Sequence, residues 1–163
     1  MLDHKDRVFR YAYYTLRNEA DAQDATQEVF IKLWNHFDEI QMLKVKSWLM
    51  RTTYNHCIDM IRKRQRTGDR HVEIQEYQNF DMDPPHDTDP RDQLEHQTLG
   101  KRIEKAIASL PDKIRPIFLM YEIQGLKYRE IADATGIPLN TVKVHLLRAR
   151  KLLQQELRYE RNI

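Results

Sequence analysis

The sequence predicts an all-α chain of two small helical domains, the first of three helices and the second of four, joined by a flexible acidic linker. Three observations predict it. Only four of the 163 residues are glycine while 32% are charged, a composition that favours helices over sheet. Apolar residues recur at helical spacing in seven separate stretches, and no strand pattern competes with them. Between the third and fourth stretches, residues 67–93 carry three of the six prolines (Pro84, Pro85, Pro90) and scattered acids without an apolar period. That segment is too long for an ordinary loop inside a compact domain and reads as a linker. The expected domains are therefore residues 1–66 and 94–163.

The helices follow in order. The first spans roughly His4 to Leu16. The second begins near Glu19 and runs to about Phe37, with Ala22, Ala25, Val29 and Leu33 at helical spacing and Phe30, Trp34 and Phe37 beside them. Its other face carries Asp24, Gln27, Glu28, Ile31 and Asn35. The third runs from about Val45 to Arg66 and ends in a basic run, with a glycine just beyond. After the linker, Leu99, Ile103, Ala106, Ile107 and Leu110 mark a helix that stops at Pro111. Ile114, Ile117, Phe118 and Tyr121 mark another that ends before Gly125. Tyr128 to Thr135 is short, and Asn140 to about Leu157 is longer.

Net charge is only +2, yet its distribution is informative. Residues 44–66 hold seven basic residues against one acidic, and residues 67–98 hold nine acidic against two basic. The C-terminal stretch is basic again. Two basic segments around an acidic one point to two separate contacts with a polyanion. A single cysteine, Cys57, excludes an internal disulfide framework and fits a reducing, cytoplasmic compartment. No apolar run approaches the ~18 residues of a membrane span, and the charged first residues lack a signal-peptide core.

The last two helices have the spacing of a helix-turn-helix. Ala132 is small enough for close approach, Gly136 supplies the positive φ of the turn, Ile137 plugs it and Val142 packs back. Asn140 or Thr141 is placed to cap the second helix. At ~100° per residue, Val142, Leu146, Ala149 and Leu153 share one narrow core sector. The opposite side presents Thr141, Val144, Leu147, Arg148 and Lys151, with Lys143 and Arg150 on one flank and His145 on the other. Cations hold phosphate and read guanine, and aliphatic groups touch thymine methyls, so this face suits a major groove.

Two blocks in the first domain settle what such a helix serves. Asp24, Gln27, Glu28, Phe30 and Trp34, followed by Trp48, Leu49, Asn55, Asp59, Arg62 and Arg66, resemble region 2 of the sigma-70 family. They are most similar to the small ECF (extracytoplasmic-function) sigma factors of bacterial RNA polymerase. The segment from Ser109 to Leu153, with its Leu-Pro-x-x-x-Arg, Tyr-x-Glu-Ile-Ala and Thr-Val-Lys elements in order, resembles region 4. The resemblance covers nearly all of the chain apart from the linker.

It implies a division of labour. The second helix would dock on the coiled coil of the largest polymerase subunit through Asp24, Gln27, Glu28, Ile31 and Asn35. The third helix and the loop before it, about Asp38 to Lys46, would recognise and open the minus-ten element. Asn55 offers hydrogen bonds to a base edge, Trp48 and Tyr54 offer aromatic surface, and Lys44, Lys46, Arg51, Arg62, Lys63 and Arg64 can hold phosphates. Trp48 has an alternative place in the core. Thr141, Lys143, Val144, His145, Leu147, Arg148 and Lys151 would read the minus-thirty-five element, with Ile117 and Phe118 supporting them or meeting the polymerase flap. Partners implied are core polymerase, promoter DNA and an anti-sigma factor, with no small-molecule substrate, cofactor or metal. Val144-His145 stands where the family commonly has Ser-Arg, and members usually carry further helical residues before the counterpart of Arg7.

The basic end also resembles LuxR-type regulators, whose receiver or ligand domain would demand βα alternation upstream. The first 66 residues have none. Catalysis has only Cys57 beside His56 to offer, and adjacent helix residues point ~100° apart. The histidines lack metal-ligand spacing.

Overall fold

The computed structural model of the chain describes residues 2–68 and 90–161, so most of the expected linker lies outside the described residues. Among them are seven α-helices and no strand: α1 (Leu2–Leu16), α2 (Glu19–His36), α3 (Val45–Thr67), α4 (Pro90–Ala108), α5 (Arg115–Glu122), α6 (Tyr128–Thr135) and α7 (Leu139–Arg161). Two 3-10 turns, Phe37–Glu39 and Met42–Lys44, join α2 to α3.

Local chemistry sets the boundaries. Arg17 closes α1 in a left-handed conformation (φ 58), its N–H bonded to the Tyr13 carbonyl at 2.8 Å. The side chain of Asn18 then accepts from the Asp21 N–H at 2.9 Å and opens α2. The chain thus reverses within two residues. Gly68 (φ 69) ends α3. α4 begins at Pro90, inside the stretch expected as linker, because proline's fixed φ and missing N–H are tolerated in a first helical turn. α7 begins at Leu139, since the Val142 N–H already bonds the Pro138 carbonyl at 3.0 Å. Asn140 and Thr141 therefore lie within the first turn, not at the cap expected for them.

Each half has its own apolar centre. Val8, Tyr11, Ala12, Ala22, Ala25, Val29, Leu49, Met50 and Cys57 fill the space between α1, α2 and α3. Leu110, Ile117, Leu119, Met120, Ile131, Val142, Leu146 and Ala149 fill the space between α5, α6 and α7. Fully burying one such Leu or Ile side chain stabilises by about 1.5–3 kcal/mol.

The two centres form one continuous cluster, and the seam between them is polar. The buried Tyr11 hydroxyl donates to the Pro116 carbonyl (3.0 Å), and the Gln124 amide to the Arg7 carbonyl (3.2 Å). Arg115, 3% exposed, donates to the carbonyls of Ala108 and Leu110 (3.2 and 2.6 Å) and to that of Thr15 in α1 (3.3 Å). One guanidinium thus satisfies carbonyls left unpaired near the ends of two helices from different halves. Its charge is balanced by Asp112 at 3.0 Å.

Candidate nucleic-acid and polymerase interfaces

α2 turns Ala22, Ala25, Thr26, Val29 and Leu33 inward. Asp24, Gln27, Ile31 and Asn35 are exposed on the opposite side, and Glu28 is half-buried and 4.0 Å from Lys32. Trp34 joins this outer face, 79% exposed, and Phe37 is exposed at its end. The sequence reading set both aromatics beside the core. Helical geometry explains the difference: Trp34 is ~100° from Leu33 but only ~60° from Ile31. The face therefore combines acids and amides with two large apolar side chains, Ile31 and Trp34, that stay exposed among the described residues.

α3 buries Leu49, Met50, Thr53, Cys57 and Ile61. Arg51, Asn55 and Arg62 fall within a ~40° sector of its exposed side. Lys44, Lys46 and Lys63 are exposed as well. Trp48 and Tyr54 are half-buried against the core, with Trp48 edge-on to His36 at 6.4 Å between ring centres. Each keeps part of its ring in reach of solvent. Burial pushes the Tyr54 phenol up, so it stays a neutral donor.

Arg64 departs from the expected phosphate-binding set. Its guanidinium pairs with Asp21 and donates to the Leu16 carbonyl at 2.9 Å. It ties α3 to the α1–α2 junction. Met42 and Leu43 lie in the loop expected to help open the minus-ten element, though the sequence reading singles out neither. They stand 79% and 97% exposed on the 3-10 turn before α3, held there by a 2.8 Å bond from the Lys44 N–H to the Gln41 carbonyl. Two adjacent apolar residues just before a basic stretch were the available signal.

The helix-turn-helix is built as its spacing requires. Gly136 sits at φ 74 with its N–H bonded to the Ala132 carbonyl at 2.9 Å. The Thr135 hydroxyl donates to the Ile131 carbonyl (2.7 Å) and accepts from the Ile137 N–H (3.2 Å), which tightens the turn. The Glu130 carboxylate accepts from the Lys127 N–H at 3.0 Å and fixes the start of α6. Val142, Leu146 and Ala149 are buried and Leu153 is half-buried. Val144 and Leu147, 59% and 69% exposed, project with Lys143, Arg148 and Lys151, while Thr141 and His145 are half-buried. Arg150 lies 5.3 Å from the centre of the Tyr121 ring, a cation–π arrangement that holds it toward α5. Ile117 and Phe118 are buried, so they support α7 and offer no docking surface.

Cys57 is buried, and burial pushes its thiol up to about 12, far from a reactive thiolate at neutral pH. No group of three or more His, Cys, Asp or Glu among the described residues is arranged to hold a metal ion. No helix among them is long and apolar enough to cross a membrane.

Three outward faces thus share one scaffold: an acid-amide face with exposed Ile31 and Trp34, a basic face with amide and aromatic groups, and a basic-aliphatic helix behind a glycine turn. Comparison with known proteins gives this combination a family. Sigma-70 region 2 matches residues 1–67 and Sigma-70, region 4 matches residues 100–153. The ECF RNA polymerase sigma factor SigW of Bacillus subtilis is 31% identical over 159 residues, covering 95% of this chain and 85% of that protein. The chain belongs to the ECF sigma factors.

The ECF sigma factor SigE of Mycolicibacterium smegmatis is 35% identical over 154 residues, which are 94% of this chain but 58% of that protein. Among solved structures, the sigma factor RpoE of Bartonella quintana, in complex with the anti-sigma factor NepR, shares the fold. Its TM-score is 0.70 at 22% identity, over 96% of this chain and 93% of that one. The LuxR-type alternative is not favoured, because region 2 occupies the stretch where its receiver or ligand domain would lie. As an ECF sigma factor, the chain is a DNA-binding factor of transcription initiation.

Proposed function

We propose that this ECF sigma factor works in the cytoplasm by docking on core RNA polymerase, at the largest-subunit coiled coil and the flap, and directing initiation at promoters with two contacts. Residues 1–66 form the docking and strand-opening unit, the linker ends where α4 begins at Pro90, and α4 to α7 form the duplex-reading unit. Asp24, Gln27, Glu28, Ile31 and Asn35 dock on polymerase, joined by Trp34, whose exposed ring is of the kind that anchors protein interfaces. Lys44, Lys46, Arg51, Arg62 and Lys63 hold single-stranded backbone, and Asn55 and the accessible edges of Trp48 and Tyr54 receive displaced bases. Thr141, Lys143, Val144, His145, Leu147, Arg148 and Lys151 read the minus-thirty-five duplex. An anti-sigma factor that covers these faces is a further proposed partner.

The observation that carries this reading is the pairing of two differently built basic faces on one scaffold, α3 with amide and aromatic groups and α7 with aliphatic ones. Amides and rings suit bases taken from the stack. Aliphatic and guanidinium groups suit base edges within a groove. The test adds the purified chain to sigma-free core polymerase on genomic promoter fragments. Run-off transcripts that depend on the added chain are expected; a chain that neither binds core nor initiates would overturn the reading.

A further inference from the structure

We propose that Val144 and Leu147 read two neighbouring thymines of the minus-thirty-five duplex through their 5-methyl groups, so that methyl contacts set specificity at the middle of the α7 face. The proposal rests on α7 being the minus-thirty-five helix, and it names the bases that this helix selects.

The core fixes where Val144 points. Val142, Leu146 and Ala149 are buried, and at ~100° per residue Val142 and Leu146 each lie ~160° from Val144. Val144 is therefore aimed away from the bundle. Lys151 lies ~20° to one side of it and Arg148 ~40° to the other, with Leu147 and Thr141 ~60° to either side. Val144, Leu147, Arg148 and Lys151 are exposed, whereas Thr141 is half-buried. The centre of the outward face thus belongs to a side chain that neither donates nor accepts a hydrogen bond, and Leu147 beside it is of the same kind.

Such side chains can select few features of a groove. The major-groove edges of the bases present nitrogen, oxygen and amino groups, and the 5-methyl of thymine is the apolar group that projects among them. Set against any other edge, Val144 would strip water from donors and acceptors without replacing it, which is unfavourable. An exposed aliphatic pair alone would equally suit an apolar protein surface, and the surrounding charge favours DNA. α7 has no acidic residue before Glu156, and Lys143, Arg148 and Lys151 are exposed around the pair. The fitting partner is a polyanion with apolar groups recessed between its charges, which describes a thymine-bearing major groove.

Helical rise sets the number of bases. Val144 and Leu147 are ~4.5 Å apart along the axis, against ~3.4 Å between stacked bases, so they meet neighbouring base pairs. The helix that carries them is anchored at its start, where the Val142 N–H bonds the Pro138 carbonyl at 3.0 Å just after the Gly136 turn. Val144 is β-branched and has one strongly preferred rotamer in a helix. Its methyl groups are aimed before DNA arrives.

The test uses holoenzyme reconstituted from the full chain and core polymerase, on a promoter fragment from which it transcribes. Each thymine of the minus-thirty-five element, on either strand, is replaced in turn by uracil, which removes the methyl and keeps every hydrogen-bonding group. Two neighbouring positions should each weaken wild-type binding about threefold to fourfold, the worth of one buried methyl. Val144→Ala should abolish the sensitivity at one of them and Leu147→Ala at the other. Both side chains are exposed and alanine is a strong helix former, so the variants keep the fold. If no uracil weakens wild type while Arg148→Gln lowers affinity, α7 reads DNA without methyl contacts and the inference alone is overturned. If neither acts, the reading of α7 fails as well. Uracil sensitivity that persists in both alanine variants assigns the methyls to another side chain or to duplex stiffness, and also overturns the proposal. A Val144→Ala defect confined to core association does the same, by marking the pair as a protein-docking surface.

Discussion

α3 and α7 are each 23 residues long, each buries one stripe in the shared core, and each turns a basic face outward. They differ in what accompanies the cations. On α3 an exposed amide, Asn55, stands near half-buried Trp48 and Tyr54; on α7 the companions are Val144 and Leu147. They also give different cations a partner within the chain, Arg64 half-buried and Arg150 still exposed. Arg64 is taken by Asp21 and the Leu16 carbonyl, and Arg150 by the Tyr121 ring. A run of positive charge in a sequence therefore overstates the cations offered to DNA. The carbonyls, acids and rings that folding brings alongside decide which remain.

The contrast predicts that the two helices fail differently. Arg148→Glu removes a groove-facing guanidinium and sets a carboxylate against phosphate. Since one good base contact alone is worth about 1–3 kcal/mol, minus-thirty-five binding should fall on the order of 100-fold, with core association unchanged. Fluorescence anisotropy with labelled promoter, beside a core pull-down, measures both; equal loss of both would remove Arg148 from the DNA face. Asn55→Ala should act later. Open-complex formation should drop about tenfold, as expected for one lost hydrogen-bonded base contact, while closed-complex affinity changes little. Permanganate reactivity of the promoter reports strand opening. An unchanged pattern would break the distinction between the two faces.

A pair of substitutions within α3 tests the diversion of cations. Arg62 is exposed, whereas Arg64 is tied to the α1–α2 junction. Arg64→Gln should lower unfolding free energy by about 1–2 kcal/mol, a charged hydrogen bond discounted for its partial exposure. Arg62→Gln should stay within about 0.5 kcal/mol of wild type yet weaken promoter binding severalfold. Urea unfolding and binding isotherms separate the two. The reverse pattern would return Arg64 to the phosphate-binding set.

Much of this was legible from residue spacing. Gly136 before α7, the buried stripe Val142, Leu146 and Ala149, and the acid-amide face of α2 are periodic features, and periodicity is a local property. What escaped depends on distance in space. Trp34 was assigned by its apolar character, although its angle put it with Ile31. Arg64 looked like its neighbours in a basic run, because Asp21 lies more than forty positions earlier. The polar seam, with Tyr11 meeting Pro116 and Arg115 meeting Thr15, joins residues 105 and 100 positions apart. No local pattern encodes such a pairing.

The smallest expected effect compares the histidines of the two helices. Both His56 on α3 and His145 on α7 are held below the ordinary imidazole range, mainly by burial. At His56 the next cause is Lys32, partly offset by Glu28 and Asp59. At His145 the further causes are Arg148 and Lys113, and no acid offsets them. Each folded pKa is depressed below the unfolded value of about 6.5. The stability gained from keeping each ring neutral is therefore present above that value and is lost as pH falls through the folded pKa. A duplex that carries the minus-thirty-five element alone reaches α7 and not α3, so it changes only one of the two. Phosphates that engage Arg148 weaken the repulsion at His145, so the complex takes up a proton more readily than the unbound protein does. Promoter affinity should then rise by no more than about threefold between pH 7.5 and 6.0, an increment that His145→Gln removes and His56→Gln retains. Anisotropy titrations across that range decide it: an increment that survives His145→Gln would place His145 outside the field of the bound phosphates and make the two helices alike in this respect.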